Sequence, residues 1–133
     1  KGFHVVVPLK PKADWPEVKA FTKAIAVSMA ADSPEKYVST ITKSKRKGKI
    51  LIDYLRNQRG MTAVAPYSTR ARPGAAVSMP LEWDELTPGI GPAYFTVLNA
   101  PTRMASVKRD PWIDFRRQAA PIEKAKTARA TKG

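Results

Sequence analysis

The segment that most constrains this fold is Ile50-Leu51-Ile52-Asp53-Tyr54-Leu55, an apolar strand interrupted by one aspartate and followed at once by Arg56-Asn57. A strand this apolar belongs in a sheet. Alternation puts Ile50, Ile52 and Tyr54 on one face and Leu51, Asp53 and Leu55 on the other. A buried ionised carboxylate must be paired with cations or bound to a metal. Cations crowd the flanks: Lys43, Lys45, Arg46, Lys47 and Lys49 before it, Arg56, Arg59, Arg70 and Arg72 after it. One carboxylate inside a cationic wall suits a polyanion and its divalent metal. It suits a structural salt bridge from Asp53 to Arg56 equally well.

The partner class narrows with composition. A net charge of +13 on 133 residues points first to nucleic acid and second to an anionic membrane surface. The charge is uneven: residues 1–80 carry 15 Lys/Arg against 5 Asp/Glu, and residues 81–133 carry 9 against 6. The basic footprint therefore surrounds Asp53 instead of acting as a general solubilising excess. The absence of cysteine excludes disulfides and thiolate metal sites and fits a reducing cytosol. No apolar run approaches the roughly 18 residues of a membrane span, and no secretory signal pattern is present. The length allows one domain or part of one.

Residues 3–7 are β-branched and apolar and predict a strand stopped by Pro8 and Pro11. Asp14 is the expected N-cap of a helix over 15–31, with Glu17 completing a capping box and Val18, Phe21, Ile25 and Met29 forming its apolar stripe. A second short helix is expected from Ser33 to near Thr42. The turn Asn57-Gln58-Arg59-Gly60 joins 50–55 to 61–65 as a hairpin. Residues 66–75 form an arginine loop, 76–79 and 94–98 short strands, and 81–86 a helical turn. Asp110 caps a last helix with Pro111 at its first position. The Ala/Lys/Thr-rich end is expected to be a solvated tail.

Four segments carry a resemblance. Lys1-Gly2-Phe3-His4-Val5-Val6-Val7-Pro8-Leu9, Asp53-Tyr54-Leu55-Arg56-Asn57, Ala65-Pro66-Tyr67-Ser68-Thr69-Arg70-Ala71-Arg72-Pro73-Gly74 and Pro80-Leu81-Glu82-Trp83-Asp84-Glu85-Leu86 resemble the polymerase domain of bacterial DNA ligase D. That domain belongs to the archaeo-eukaryotic primase superfamily. The likeness runs in order from residue 1 to about residue 117. It implies nucleotidyl transfer to DNA ends, in which two divalent cations (Mg or Mn) activate the 3′ hydroxyl and steady the departing pyrophosphate. Cationic side chains neutralise the triphosphate.

The resemblance assigns roles residue by residue. Asp53 matches the single metal-binding aspartate of the family's later strand. Lys1 and His4 match the end of its triphosphate motif, whose serine lies upstream. Arg46 and Arg70 fall where the family places phosphate-binding basic residues, and Arg56 where it has a polar or basic active-site residue. Arg72 and the lysines Lys43, Lys45 and Lys47 are weaker candidates for contacting DNA. His4, Asp53, Arg56 and Arg70 are expected to converge on one small volume. The family's Asp-x-Asp pair is missing from this sequence. Residues 1–117 are therefore expected to be the C-terminal part of a primase-polymerase domain and 118–133 a basic flexible tail. Metal binding by the isolated chain is expected to be absent or weak.

Each residue also has a plainer role open to it. His4 suits a core histidine bonded to backbone, the 43–49 run a solvated loop, and Arg70 and Arg72 a clamp on Glu82 or Asp84. Trp15, Trp83 and Trp112 sit beside helix starts and suit packing there better than base stacking.

Two functions follow. One is an enzyme fragment in non-homologous end joining. Its parent is a DNA polymerase/primase nucleotidyltransferase associated with ATP-dependent DNA ligase and sometimes nuclease domains. Its partners are DNA ends, nucleoside triphosphate and Ku, with no membrane, in the bacterial cytoplasm near the nucleoid. The other is a catalytically silent basic module that holds nucleic acid through phosphates. The expected fold is α+β, a mixed, mostly antiparallel sheet with the long helix on one face. The resemblance implies an RNA-recognition-like catalytic core, here incomplete.

Overall fold

The computed structural model describes residues 2–122. Lys1 and residues 123–133 lie outside the described residues, and with them the triphosphate role expected of Lys1 and most of the expected tail. Two compact units divide the described residues: one holds 2–8 and Ala63–Ala119, the other Leu9–Thr62 and 120–122.

The Leu9–Thr62 unit is organised by α1, Trp15–Asp32. Asp14 caps it as expected, its Oδ1 accepting the Glu17 N–H at 2.9 Å. Pro16 is tolerated in the first turn, where its missing N–H costs nothing. The inward face differs from the expected stripe. Ala26 is fully buried while Ile25 and Met29 are 44% and 37% exposed. Of the expected stripe Val18 and Phe21 are half-buried, and an inner line Val18–Thr22–Ala26 accompanies them on a helix that lies against the neighbouring β1. Thr22 sits on that line because its hydroxyl donates back to the carbonyls of Val18 and Lys19, both at 3.1 Å.

The helix expected from Ser33 does not form. Residues 34–36 turn, and Tyr37–Val38 become β1, as an aromatic and a β-branched residue favour. Strand β2, Ile50–Leu51, lies beside β1 in parallel, with Tyr37 opposite Ile50 and Val38 opposite Leu51. The short helix α2, Lys43–Arg46, lies on the connection. The pairing closes with the Ile52 N–H donating to the Val38 carbonyl at 2.9 Å, so the strand expected over 50–55 ends where its two-residue partner ends. The expected hairpin is absent too. Residues 57–60 turn with Gly60 at φ 83°, but 61–65 pair with no strand.

In the Ala63–Ala119 unit, Phe95 is the buried hydrophobic centre, with the Tyr94 ring edge-on at 4.8 Å. The strands expected at 76–79 and 94–98 reduce to two isolated antiparallel bridges, Thr69–Val77 and Ala76–Thr96. Trp83–Glu85 form the expected helical turn, capped by Glu82 with both halves of a capping box. Helix α3, Ala100–Ser106, was not foreseen. Its Pro101 reads as a breaker in sequence but sits in the first turn, where proline is welcome. The helix expected from Asp110 is a run of turns instead. The Asp110 carboxylate takes the Trp112 N–H at 2.9 Å, and a 3-10 turn follows at Arg116–Gln118. Residues 3–7 form no strand, leaving Phe3, Val5, Val6 and Val7 exposed, because a strand needs a partner.

The class is α+β. Among the described residues the one sheet is parallel, and antiparallel pairing is confined to the two bridges.

Candidate functional site

In the Leu9–Thr62 unit, Asp53 lies just past the carboxyl end of β2, the end of a parallel pair where ligands commonly sit. It is exposed, not buried, so the desolvation that made a cation or metal obligatory does not operate. Its Oδ1 accepts the Leu55 N–H at 2.9 Å, which bends the chain into the following turn. The predicted alternative, a salt bridge to Arg56, is not formed. Arg56 donates through Nη1 to the Thr62 carbonyl at 3.1 Å, and no ion pair among the described residues includes Asp53. Arg46 ends α2 half-buried, with its carbonyl accepting the Lys49 N–H at 3.0 Å. Lys43, Lys45 and Lys47 are exposed beside it, a cationic surface with no carboxylate in salt-bridge contact.

The Ala63–Ala119 unit presents Arg70 and Arg72 on a clasped loop. The Arg70 N–H donates to the Ala76 carbonyl and the Ser78 N–H to the Ser68 carbonyl, both at 2.9 Å, while the Ala75 N–H reaches the Arg72 carbonyl at 2.8 Å. Gly74 at φ 90° makes the reversal, in a region that favours glycine. Backbone bonds thus hold the loop and leave both guanidinium groups exposed. The expected clamp on Glu82 or Asp84 does not exist among the described residues: Glu82 is engaged in the capping box, and neither acid is in an ion pair. His4 is exposed on the unpaired segment, which removes its role as a buried core histidine.

The strongest polar contact was missed in sequence. Arg103 meets Glu85 in a two-pronged pair, Nη1 to Oε2 and Nη2 to Oε1, the latter at 2.9 Å. The guanidinium also lies 5.3 Å from the centre of the Phe95 ring. Hydrogen bonding from Arg103 pulls the Glu85 carboxyl below its ordinary range, against a smaller upward push from burial. The Arg103 guanidinium is correspondingly raised by its bond to Glu85. Tyr67 is raised above the ordinary phenol, chiefly by burial and then by its hydrogen bond to Asp110 at 3.1 Å. A spacing of 18 residues between Glu85 and Arg103 carries no periodic signature, so only the fold could reveal the pair.

The described residues do not by themselves complete a divalent metal site. Asp53 offers one carboxylate oxygen beyond the one used in its turn, and no group of three His, Asp or Glu side chains comes together among the described residues. A hard cation takes six or more oxygen ligands.

The chain matches the model of the family described as LigD, primase-polymerase domain, over residues 1–112. It is 40% identical over 116 residues to the multifunctional non-homologous end joining protein LigD of Pseudomonas aeruginosa, covering 86% of this chain and 14% of that protein. Against the bifunctional non-homologous end joining protein LigD of Bacillus subtilis it is 33% identical over 120 residues, covering 88% of this chain and 19% of that protein. The chain thus spans under a fifth of the length of these curated relatives. Among solved structures it is similar to the polymerase domain of Mycobacterium tuberculosis ligase D in complex with DNA. The TM-score is 0.71 and the identity 30%, over 84% of this chain and 38% of that one.

Proposed function

The chain belongs to the LigD primase-polymerase domain family, and on that premise we propose that it serves nucleotidyl transfer at broken DNA ends in non-homologous end joining. The observation that carries the proposal is Asp53: an exposed carboxylate at a strand end, unpaired among the described residues, in a unit whose other charges are overwhelmingly basic. Its Oδ1 serves the local turn through the Leu55 N–H, while its charge has no cation partner among the described residues.

In this reading Arg70 and Arg72 grip phosphate oxygens, the clasped loop having already fixed the backbone that presents them. Arg46 and Arg56 neutralise further phosphate charge, and His4 donates to a triphosphate oxygen. Arg56 keeps donors to spare, since only Nη1 is engaged by Thr62. Lys43, Lys45 and Lys47 attract the DNA backbone without reading bases. Asp53 contributes one oxygen to a divalent ion whose remaining ligands come from outside the described residues. In this reading the mostly antiparallel sheet and primase-like core form in the complete domain of a parent protein, which adds a ligase and sometimes a nuclease domain and works with Ku near the nucleoid. No helix of the described residues is long and apolar enough to cross a membrane.

A second reading has its own observation. The missing cluster of metal-binding carboxylates among the described residues favours a module that binds nucleic acid and does no chemistry. Both readings require phosphate binding, which a salt titration of DNA affinity tests. Neutralising several phosphates gives a fall of about two to three decades between 50 and 200 mM salt. A flat response removes both.

A further inference from the structure

Trp112 stacks on Phe115 at 5.0 Å with an interplanar angle of 12°, so one face of that indole is satisfied within the fold. Trp15 is different. It is 52% exposed at the first position of α1, and among the described residues no aromatic ring stacks on it. It borders a groove of about 550 Å³ in the Leu9–Thr62 unit, lined also by Asp14, Pro16, Lys19, Gln58 and Arg59. Trp83 is also exposed but lines neither this groove nor the one bordered by Tyr67 and Met104.

Side-chain and backbone bonds shape the groove. Lys19 donates through Nζ to Gln58 Oε1 at 2.5 Å, tying α1 to the 57–60 turn. The Gln58 carbonyl accepts the Met61 N–H at 3.2 Å, and Gly60 at φ 83° completes the reversal that presents Arg59. Arg59 is exposed with no carboxylate partner among the described residues. Lys19 retains two ammonium protons after serving Gln58. Asp14, whose Oδ1 accepts the Glu17 N–H, adds a negative charge that disfavours a phosphate at that end.

An aromatic platform at one end and a free guanidinium at the other match one nucleotide of an unpaired strand: base on ring, phosphate on cation. We propose that the Trp15–Arg59 groove seats one base of single-stranded DNA, stacked on Trp15 with its phosphate held by Arg59. This rests on the phosphate-binding reading above and adds a base-dependent contact that a purely electrostatic surface lacks.

The test compares two short strands of equal length, oligo-dT and its abasic counterpart, by fluorescence anisotropy with the full chain. Trp15→Leu keeps apolar bulk but removes the π face. It is expected to weaken oligo-dT binding at least about fivefold and leave the abasic strand unchanged. Trp15→Phe should retain most of the preference, and Arg59→Gln should weaken both strands alike. Equal effects of Trp15→Leu on the two strands, no effect on either, or a Trp15→Phe variant no better than Trp15→Leu would overturn the groove assignment while leaving phosphate binding standing. Failure of the unsubstituted chain to bind either strand would overturn the phosphate-binding reading and this inference with it.

Discussion

Arg103 holds Glu85 through two guanidinium nitrogens while lying over Phe95, one of the two buried hydrophobics of the described chain. The side chains are 16% and 28% exposed, so the pair is largely shielded, and Arg103 also reaches the Pro80 carbonyl at 3.4 Å. Arg103→Ala leaves Glu85 without its cation and opens space beside Phe95. It should cost about 1–3 kcal/mol, read as a lower urea midpoint. Arg103→Lys should recover part of that, because one ammonium cannot reproduce a two-pronged grip.

The same pair sets an acid sensitivity. The folded Glu85 carboxyl titrates below its ordinary value of 4.5, so the unfolded chain takes the proton first. Its stabilising contribution is complete above the unfolded value and is lost as pH falls through the folded one. Urea midpoints followed from neutral pH downward should fall more steeply for the natural chain than for Glu85→Gln.

Tyr67 gives the opposite sign. Its phenol is raised above the ordinary 10.0, by burial first and by Asp110 second, so folding favours the neutral form. Stability from this group is present below the unfolded value and drains as pH rises through the folded one. Tyr67→Phe should flatten the alkaline limb of the stability profile.

These two groups show where sequence stops being readable. Local chemistry was legible: Asp14 capping α1, the helical turn at 83–85 and the arginine loop all follow from neighbours within a few residues, although the capping box formed at Glu82 and Glu85 and not at Asp14 and Glu17. Pairings that depend on a distant partner were not. Residues 3–7 and 61–65 have strand composition yet no strand beside them, and Tyr37–Val38 became a strand because Ile50–Leu51 was available. Asp53 was found as the singular residue, but its surroundings were misjudged. Apolar neighbours suggested burial, whereas the strand ends at Leu51 and leaves the carboxylate in solvent.

That exposure fixes the effect of Asp53→Asn on folding. An asparagine oxygen can accept the Leu55 N–H as the carboxylate does, and no ion pair is lost. The change should shift stability by no more than about 0.5 kcal/mol in either direction. A large loss of stability in chemical denaturation would restore a structural role for Asp53.

The chain by itself should add no nucleotides to a primer, since its described residues bring a single carboxylate to a reaction that uses two metal ions. Metal-dependent primer extension by this chain, free of contaminating polymerase, would refute that.

The central claim is that Asp53 works in nucleotide addition and not in holding the fold. The most direct measurement places this chain in Pseudomonas aeruginosa LigD, replacing the segment it matches, and follows nucleotide addition to a DNA end with and without Asp53→Asn. Addition by the unsubstituted chimera, falling to the no-enzyme level with Asp53→Asn while DNA affinity persists, is the predicted result. Equal addition by both chimeras, or none by a folded, DNA-binding chimera that retains Asp53, would contradict it.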